Sequence, residues 1–245
     1  MRIRKLKNQS LEILKGNWIN VIGASLVFAV IPFLILQGLD MKAIGIFDNY
    51  NFYKPFSSNI LRWLIVIIVF IIQPYFVLCF IKYCSNLMTS KRRIAYIECI
   101  VHWRQYLRFL GVVVVDFMMM SVVGFIILQI AEVTSSNIAI SAIFVILFFI
   151  EVFVVFIFAF PAGFLIAQNH GISFEDALKT SLLIVKRNFW SVAYLWLSFV
   201  GWAIVGIITL GIGFIWIAPY ATSTMALYVN SKNRGFTGGI TYSPW

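Results

Sequence analysis

Apolar residues run along this chain in six long stretches, at 18–39, 61–87, 107–131, 138–166, 189–209 and 212–230, separated by polar intervals. An α-helix needs about 20 such residues to cross a hydrocarbon core about 30 Å thick. The pattern predicts an all-α fold, a polytopic membrane bundle of six transmembrane helices in one domain over 1–231, with a tail over 232–245. The last two stretches are the hardest to separate, because 189–230 carries no charge. Thr209-Leu210-Gly211-Ile212-Gly213 offers glycines for a tight reversal, and one span of 42 residues would be far too long.

The polar intervals set the orientation. With the amino terminus inside, sixteen Lys and Arg fall in cytoplasmic segments and three (Lys42, Lys54 and Arg62) outside. That bias predicts a multi-pass protein of the cell membrane with both termini cytoplasmic. The basic start (Arg2, Arg4, Lys5, Lys7, Lys15) followed by an apolar run resembles a secretory signal. Trp18 to Leu39 is too long for one, however, and no small-x-small site follows before Asp40, so the expectation is an uncleaved first span. The outer loop from Asp40 to Asn59 is polar, aromatic and nearly neutral, and reads as a solvated connector or a contact for an external partner.

Composition agrees and closes off other classes. The chain is 62% hydrophobic and 11% charged, with a mean hydropathy of +0.95, against about 45–50% and 25% in soluble domains. The net charge of +10 follows from topology and predicts contact with anionic lipids at the inner face. No basic run is long enough to track a nucleic acid. Cys79, Cys84 and Cys99 are an odd set without metal-type spacing, which reads as small apolar packing rather than disulfides.

A repeat underlies the pattern. Ser10-Leu11-Glu12-Ile13-Leu14-Lys15-Gly16-Asn17-Trp18 aligns without gaps on Ser181-Leu182-Leu183-Ile184-Val185-Lys186-Arg187-Asn188-Phe189, with five of nine positions identical. Each is a short amphipathic helix ending in a basic residue, an Asn and an aromatic ring where the chain enters the bilayer. A weaker third copy runs from Ile94 to Arg104 and on to Phe109. The expected architecture is three parallel units, each an interfacial amphipathic helix plus a hairpin, anchored at the surface by Trp18, Trp103, Trp190, Lys15, Lys186 and Arg187. Parallel repeats argue against inverted-repeat transporter folds. The helix before the fifth span has the clearest start, with Ser173 and Asp176 forming a capping-box pattern.

At these residues the chain resembles the bacterial integral membrane proteins catalogued as domain of unknown function 975. The resemblance is sharpest from Phe160-Pro161-Ala162-Gly163-Phe164-Leu165 through Ala177-Leu178-Lys179-Thr180-Ser181. It continues in Leu210-Gly211-Ile212-Gly213-Phe214-Ile215-Trp216-Ile217-Ala218-Pro219-Tyr220. It implies a membrane bundle in a bacterial cell membrane and supplies no activity. The layout is also similar to the membrane domain attached to some glycerophosphodiester phosphodiesterases, whose catalytic domain is absent from this sequence.

Candidate chemistry is sparse. There is no nucleophile elbow, no paired His and no phosphate-cradling Gly loop, and His102 and His170 lack a ligand set, so neither an enzyme nor a metal or other cofactor is expected. Glu132 adjoins the outer turn and reads as solvated. Asp116 and Glu151 lie deep in their spans, where a charge costs about 2.5–3.5 kcal/mol. At 1.5 Å per residue Asp116 sits roughly 13 Å from the inner boundary and Glu151 roughly 20 Å from the outer one, at depths only a few Å apart. Two carboxyls in contact would share a proton or bind a cation. Two readings stay open: a proton or cation site, or protonated acids hydrogen-bonded to Gln73, Gln129 or backbone. The expected function is interaction with a membrane component, a membrane protein or a membrane-active peptide, or self-association, in an accessory, envelope-stress or immunity role. The alternative is a small transporter or channel using Asp116 and Glu151.

Overall fold

The computed structural model describes residues 3–44, 56–90, 94–133, 138–209 and 211–236, and among these every element is helical. Helix α1 (Ile3–Leu14) leads into a long rod made of α2 (Trp18–Ser25), a π turn (Leu26–Val30) and α3 (Ile31–Ile44). Then come α4 (Phe56–Ser90), a 3-10 turn (Tyr96–Cys99), α5 (Trp103–Val133), α6 (Ile138–Gln168), α7 (Phe174–Ile208) and α8 (Phe214–Phe236). Five helical stretches, Trp18–Leu36, Leu64–Ser90, Trp103–Ile127, Ile146–Gln168 and Phe174–Ile208, are long and apolar enough to cross a membrane, as in a multi-pass membrane protein. Most of the outer loop and the tail beyond Phe236 lie outside the described residues, as does the side chain of Glu132. Helix α8 itself takes in the first five residues of that expected tail, ending at Phe236.

Helix starts and breaks follow local chemistry. Ser173 caps α7: its Oγ accepts from the Asp176 N–H at 3.1 Å and its hydroxyl donates to Asp176 Oδ2 at 2.6 Å. Pro32 has no N–H for the carbonyl four residues back, and the turn just before it widens so that the Ile31 N–H bonds Leu26 O. The reversal between α7 and α8 uses Gly211 at φ 90, where an L side chain is strained. Thr209 Oγ1 closes it, accepting from the Gly213 N–H at 2.9 Å, while the Gly211 N–H returns to Gly206 O at 2.9 Å.

The same junction recurs at Asn17 and Asn188. Both leave helical geometry (φ −117, ψ 5 and φ −134, ψ 29). Both donate Nδ2 to the carbonyl four residues back, Ile13 O and Ile184 O, at 3.0 Å. Leu6, Ser10, Leu14, Val21, Ala24 and Phe28 are buried, and so are the residues at the offset that aligns Ser10 with Ser181: Ala177, Ser181, Val185, Val192, Leu195 and Phe199. Ser10 is held to α8 by a 2.9 Å bond with Thr224 Oγ1, and Ser181 to α6 by donation to Phe158 O at 2.5 Å.

The expected middle interfacial helix is corrected. Residues 94–102 hold a single 3-10 turn between extended flanks, because side chains of α4 take the carbonyls a helix would use. Lys82 Nζ donates to Ile100 O at 3.0 Å and the Tyr75 hydroxyl to Val101 O at 3.4 Å. The Tyr96 hydroxyl donates to Asn20 O at 3.0 Å, tying the turn to α2.

The core sits at one end. Helices α4, α6 and α8 each carry an internal proline (Pro74, Pro161, Pro219) and pack on one another. Beyond it, Phe160–Ala167 and Ser223–Val229 are buried residue after residue, and Leu78–Met88 nearly so. At about 100° per residue such runs cover every helix face. This end bears α1 and the α6–α7 connection, and is called here the basic end.

Candidate functional site

Asp116 and Glu151 sit on the inward stripes of α5 and α6. Along α5 the buried Gln105, Phe109 and Val112 lead at helical spacing to half-buried Asp116, and along α6 half-buried Glu151 leads to buried Val155, Ala159, Ala162 and Ile166. Gln105 Nε2 donates to the carbonyls of Ile166 and Ala167. Gly163 lies under the Phe109 ring and Gly124 under Phe148. These contacts share one antiparallel register. It sets Asp116 level with Phe156 and Glu151 level with Ser121, an offset of five residues, about 7.5 Å along the axis.

The acids therefore share a hairpin without sharing a turn. No hydrogen bond joins them to each other, or to Gln73, Gln129 or backbone, among the described residues. Both carboxyl oxygens of Glu151 are buried with no partner. A buried polar group left unpaired costs about 1–3 kcal/mol, more if charged, so this carboxyl is held at the expense of stability.

On the far side of the acids from the core, α5 and α6 stay paired through Gly124 and Phe148 but turn apolar side chains outward. Ile146 to Ile150 are all exposed, five successive residues that go fully round α6, and Phe117, Met118, Met119, Val122, Val123 and Phe125 are exposed on α5. Phe70 and Phe117 meet edge to face at 5.2 Å, linking α4 to α5 there.

The expected anchors divide. Trp103 and Trp190 are exposed (63% and 83%), as are Lys15, Lys186 and Arg187, whereas Trp18 packs against the core. No group of three or more His, Cys, Asp and Glu among the described residues is placed to hold a metal ion. Cys79, Cys84 and Cys99 are free and buried. Burial pushes the Cys99 thiol up to about 12, against the opposing pull of Lys82. Lys82, which enters the sequence reading only as an orientation charge, is 6% exposed.

No curated protein and no solved structure matches the chain. A family described as "Protein of unknown function (DUF975)" matches residues 1–233, so nearly the whole chain, with the Asn17 and Asn188 junctions, both acids and Lys82, belongs to that family.

Proposed function

We propose that this is a non-enzymatic, six-span protein of the bacterial cell membrane, with both termini cytoplasmic, that acts by binding a membrane-active peptide or another membrane component. α8 is the sixth span, entering at Phe214 and leaving near Asn230. The architecture is two full units, α1 with its hairpin and α7 with α8, around a middle hairpin preceded only by a turn; the matching junctions at Asn17 and Asn188 support it. The basic end faces the cytoplasm and meets anionic lipid, as the distribution of Lys and Arg supports.

The observation that carries the binding role is the Phe-rich apolar surface that α5 and α6 expose beyond Asp116 and Glu151. Its complement is a hydrophobic cation. A cationic amphipathic peptide entering from outside would bury its apolar face there and set a Lys or Arg against the acids, which supports an immunity or envelope-stress role. Titrating the purified protein in neutral detergent with such a peptide tests it. Saturable binding weakened tenfold or more in Asp116→Asn/Glu151→Gln is expected, and equal affinity in wild type and double variant would sink the reading.

The unpaired Glu151 carboxyl favours a second reading, a small proton or cation transporter. Its test is ion flux in vesicles, where flux unchanged in Asp116→Asn and Glu151→Gln would remove it.

A further inference from the structure

Lys82 is the most deeply buried charged side chain among the described residues, and its charge is unanswered. Its ammonium has three donors, of which Ile100 O takes one. No described carboxylate forms an ion pair with it, and Glu98, the acid of the nearby 3-10 turn, is exposed. The Cys99 thiol, whose titration Lys82 influences, stays protonated at neutral pH and provides no negative charge. A cation buried without a partner is costly enough that such groups are paired in nearly all folds.

Beside the Ile100 carbonyl and the Cys79 and Cys99 thiols, hydrogen-bond donors lie near Lys82. His102 accepts at its carbonyl the first backbone bonds of α5, so the positive end of a 31-residue helix begins three residues after Ile100. Arg108 of α5 bonds His170 O at 2.7 Å. Burial first, then Lys82 and His102, hold His170 below its usual range, leaving it a neutral N–H donor at pH 7. Next to Lys82 in sequence, the Tyr83 hydroxyl is buried without a partner, its ring 5.7 Å from that of Tyr96 in the turn. The segment that follows the turn meets Lys82 directly, through the Ile100 carbonyl.

We propose that a phosphate group binds at the basic end between α4, the Tyr96–Cys99 turn and the start of α5, with Lys82 as its buried counter-charge. Beside the turn, Ile97, Ile100 and Trp103 are exposed apolar side chains, a place for acyl chains next to the cation, so an anionic phospholipid headgroup is the favoured source over free phosphate.

The test is thermal unfolding and native mass spectrometry of the full chain in neutral detergent. The probes are inorganic phosphate at ionic strength matched with chloride, dioctanoyl phosphatidylglycerol, and phosphate-free dioctanoylglycerol. Saturable stabilisation by phosphatidylglycerol alone assigns a lipid headgroup, and stabilisation by inorganic phosphate as well assigns the phosphate group itself. In Lys82→Met, affinity for the active probe should fall at least tenfold, while Lys179→Gln, which removes an exposed basic charge already paired with Glu175, should bind as wild type. Binding equal in Lys82→Met and wild type, an equal loss in Lys179→Gln, or no saturable effect of either phosphate-bearing probe would overturn the proposal. If Lys82→Met fails to fold, His170→Asn carries the test: a loss of at least threefold is expected, and unchanged affinity overturns the site.

Discussion

Two asparagines act where the chain changes from lying on the bundle to crossing it. At such a junction the last carbonyls of the first helix lose their N–H partners, and an Asn amide four residues on satisfies one of them. Asn17 does this for Ile13, and Asn188 for Ile184 while its Oδ1 also accepts from Lys232 at 2.6 Å. Asn17→Ala should therefore cost about 1 kcal/mol and Asn188→Ala about 2. Denaturant unfolding in mixed micelles measures both, and equal losses would deny the Lys232 contact any weight. Glu151 predicts the opposite sign: Glu151→Met removes an unpaired buried carboxyl and should raise stability by about 1–3 kcal/mol while weakening peptide binding. A melting temperature below wild type would mean that the carboxyl has a stabilising partner.

Among elements, those written in local chemistry were legible in the sequence. The Ser173 cap, the Asn junctions and the glycine-bearing reversal after Ile208 each depend on side chains within a few residues of the backbone they serve. The segment before α5 was not legible, because Ile94, Ile97 and Val101 carry apolar spacing that reads as a helix. Its conformation is set by Lys82 and Tyr75, side chains 18 and 26 residues away in sequence. Lys82 and the offset of the two acids escaped for the same reason: burial and register belong to packing between helices, which periodicity does not encode. The reversal gives a direct check. Gly211→Ala forces an L side chain to φ 90 and should destabilise by about 1–2 kcal/mol, whereas at Gly171, which has no positive φ and nothing near its Cβ position, Ala should change little. Equal effects at the two positions would show that the turn is not held as described.

Across the whole molecule, packing and charge are concentrated at the same end. The runs after Pro74, Pro161 and Pro219 are buried, α1 and the first half of α7 lie against them, and the opposite halves of α5 and α6 expose apolar side chains. A bundle packed at its basic end, with its exposed Phe-rich surface toward the other, would meet an external ligand at that surface, so the function proposed for it requires that the basic end face inward. The buried native cysteines make orientation measurable without removing them, because a membrane-impermeant maleimide should leave Cys79, Cys84 and Cys99 unlabelled until the protein is denatured. In that silent background, Lys15→Cys and Lys186→Cys, at exposed positions of the basic end, should label only after the cells are permeabilised. Asn59→Cys, beyond the opposite ends of the spans, should label in intact cells. Labelling of either basic-end cysteine from outside would reverse the molecule, place the Phe-rich surface and both acids toward the cytoplasm, and exclude an external peptide as their partner.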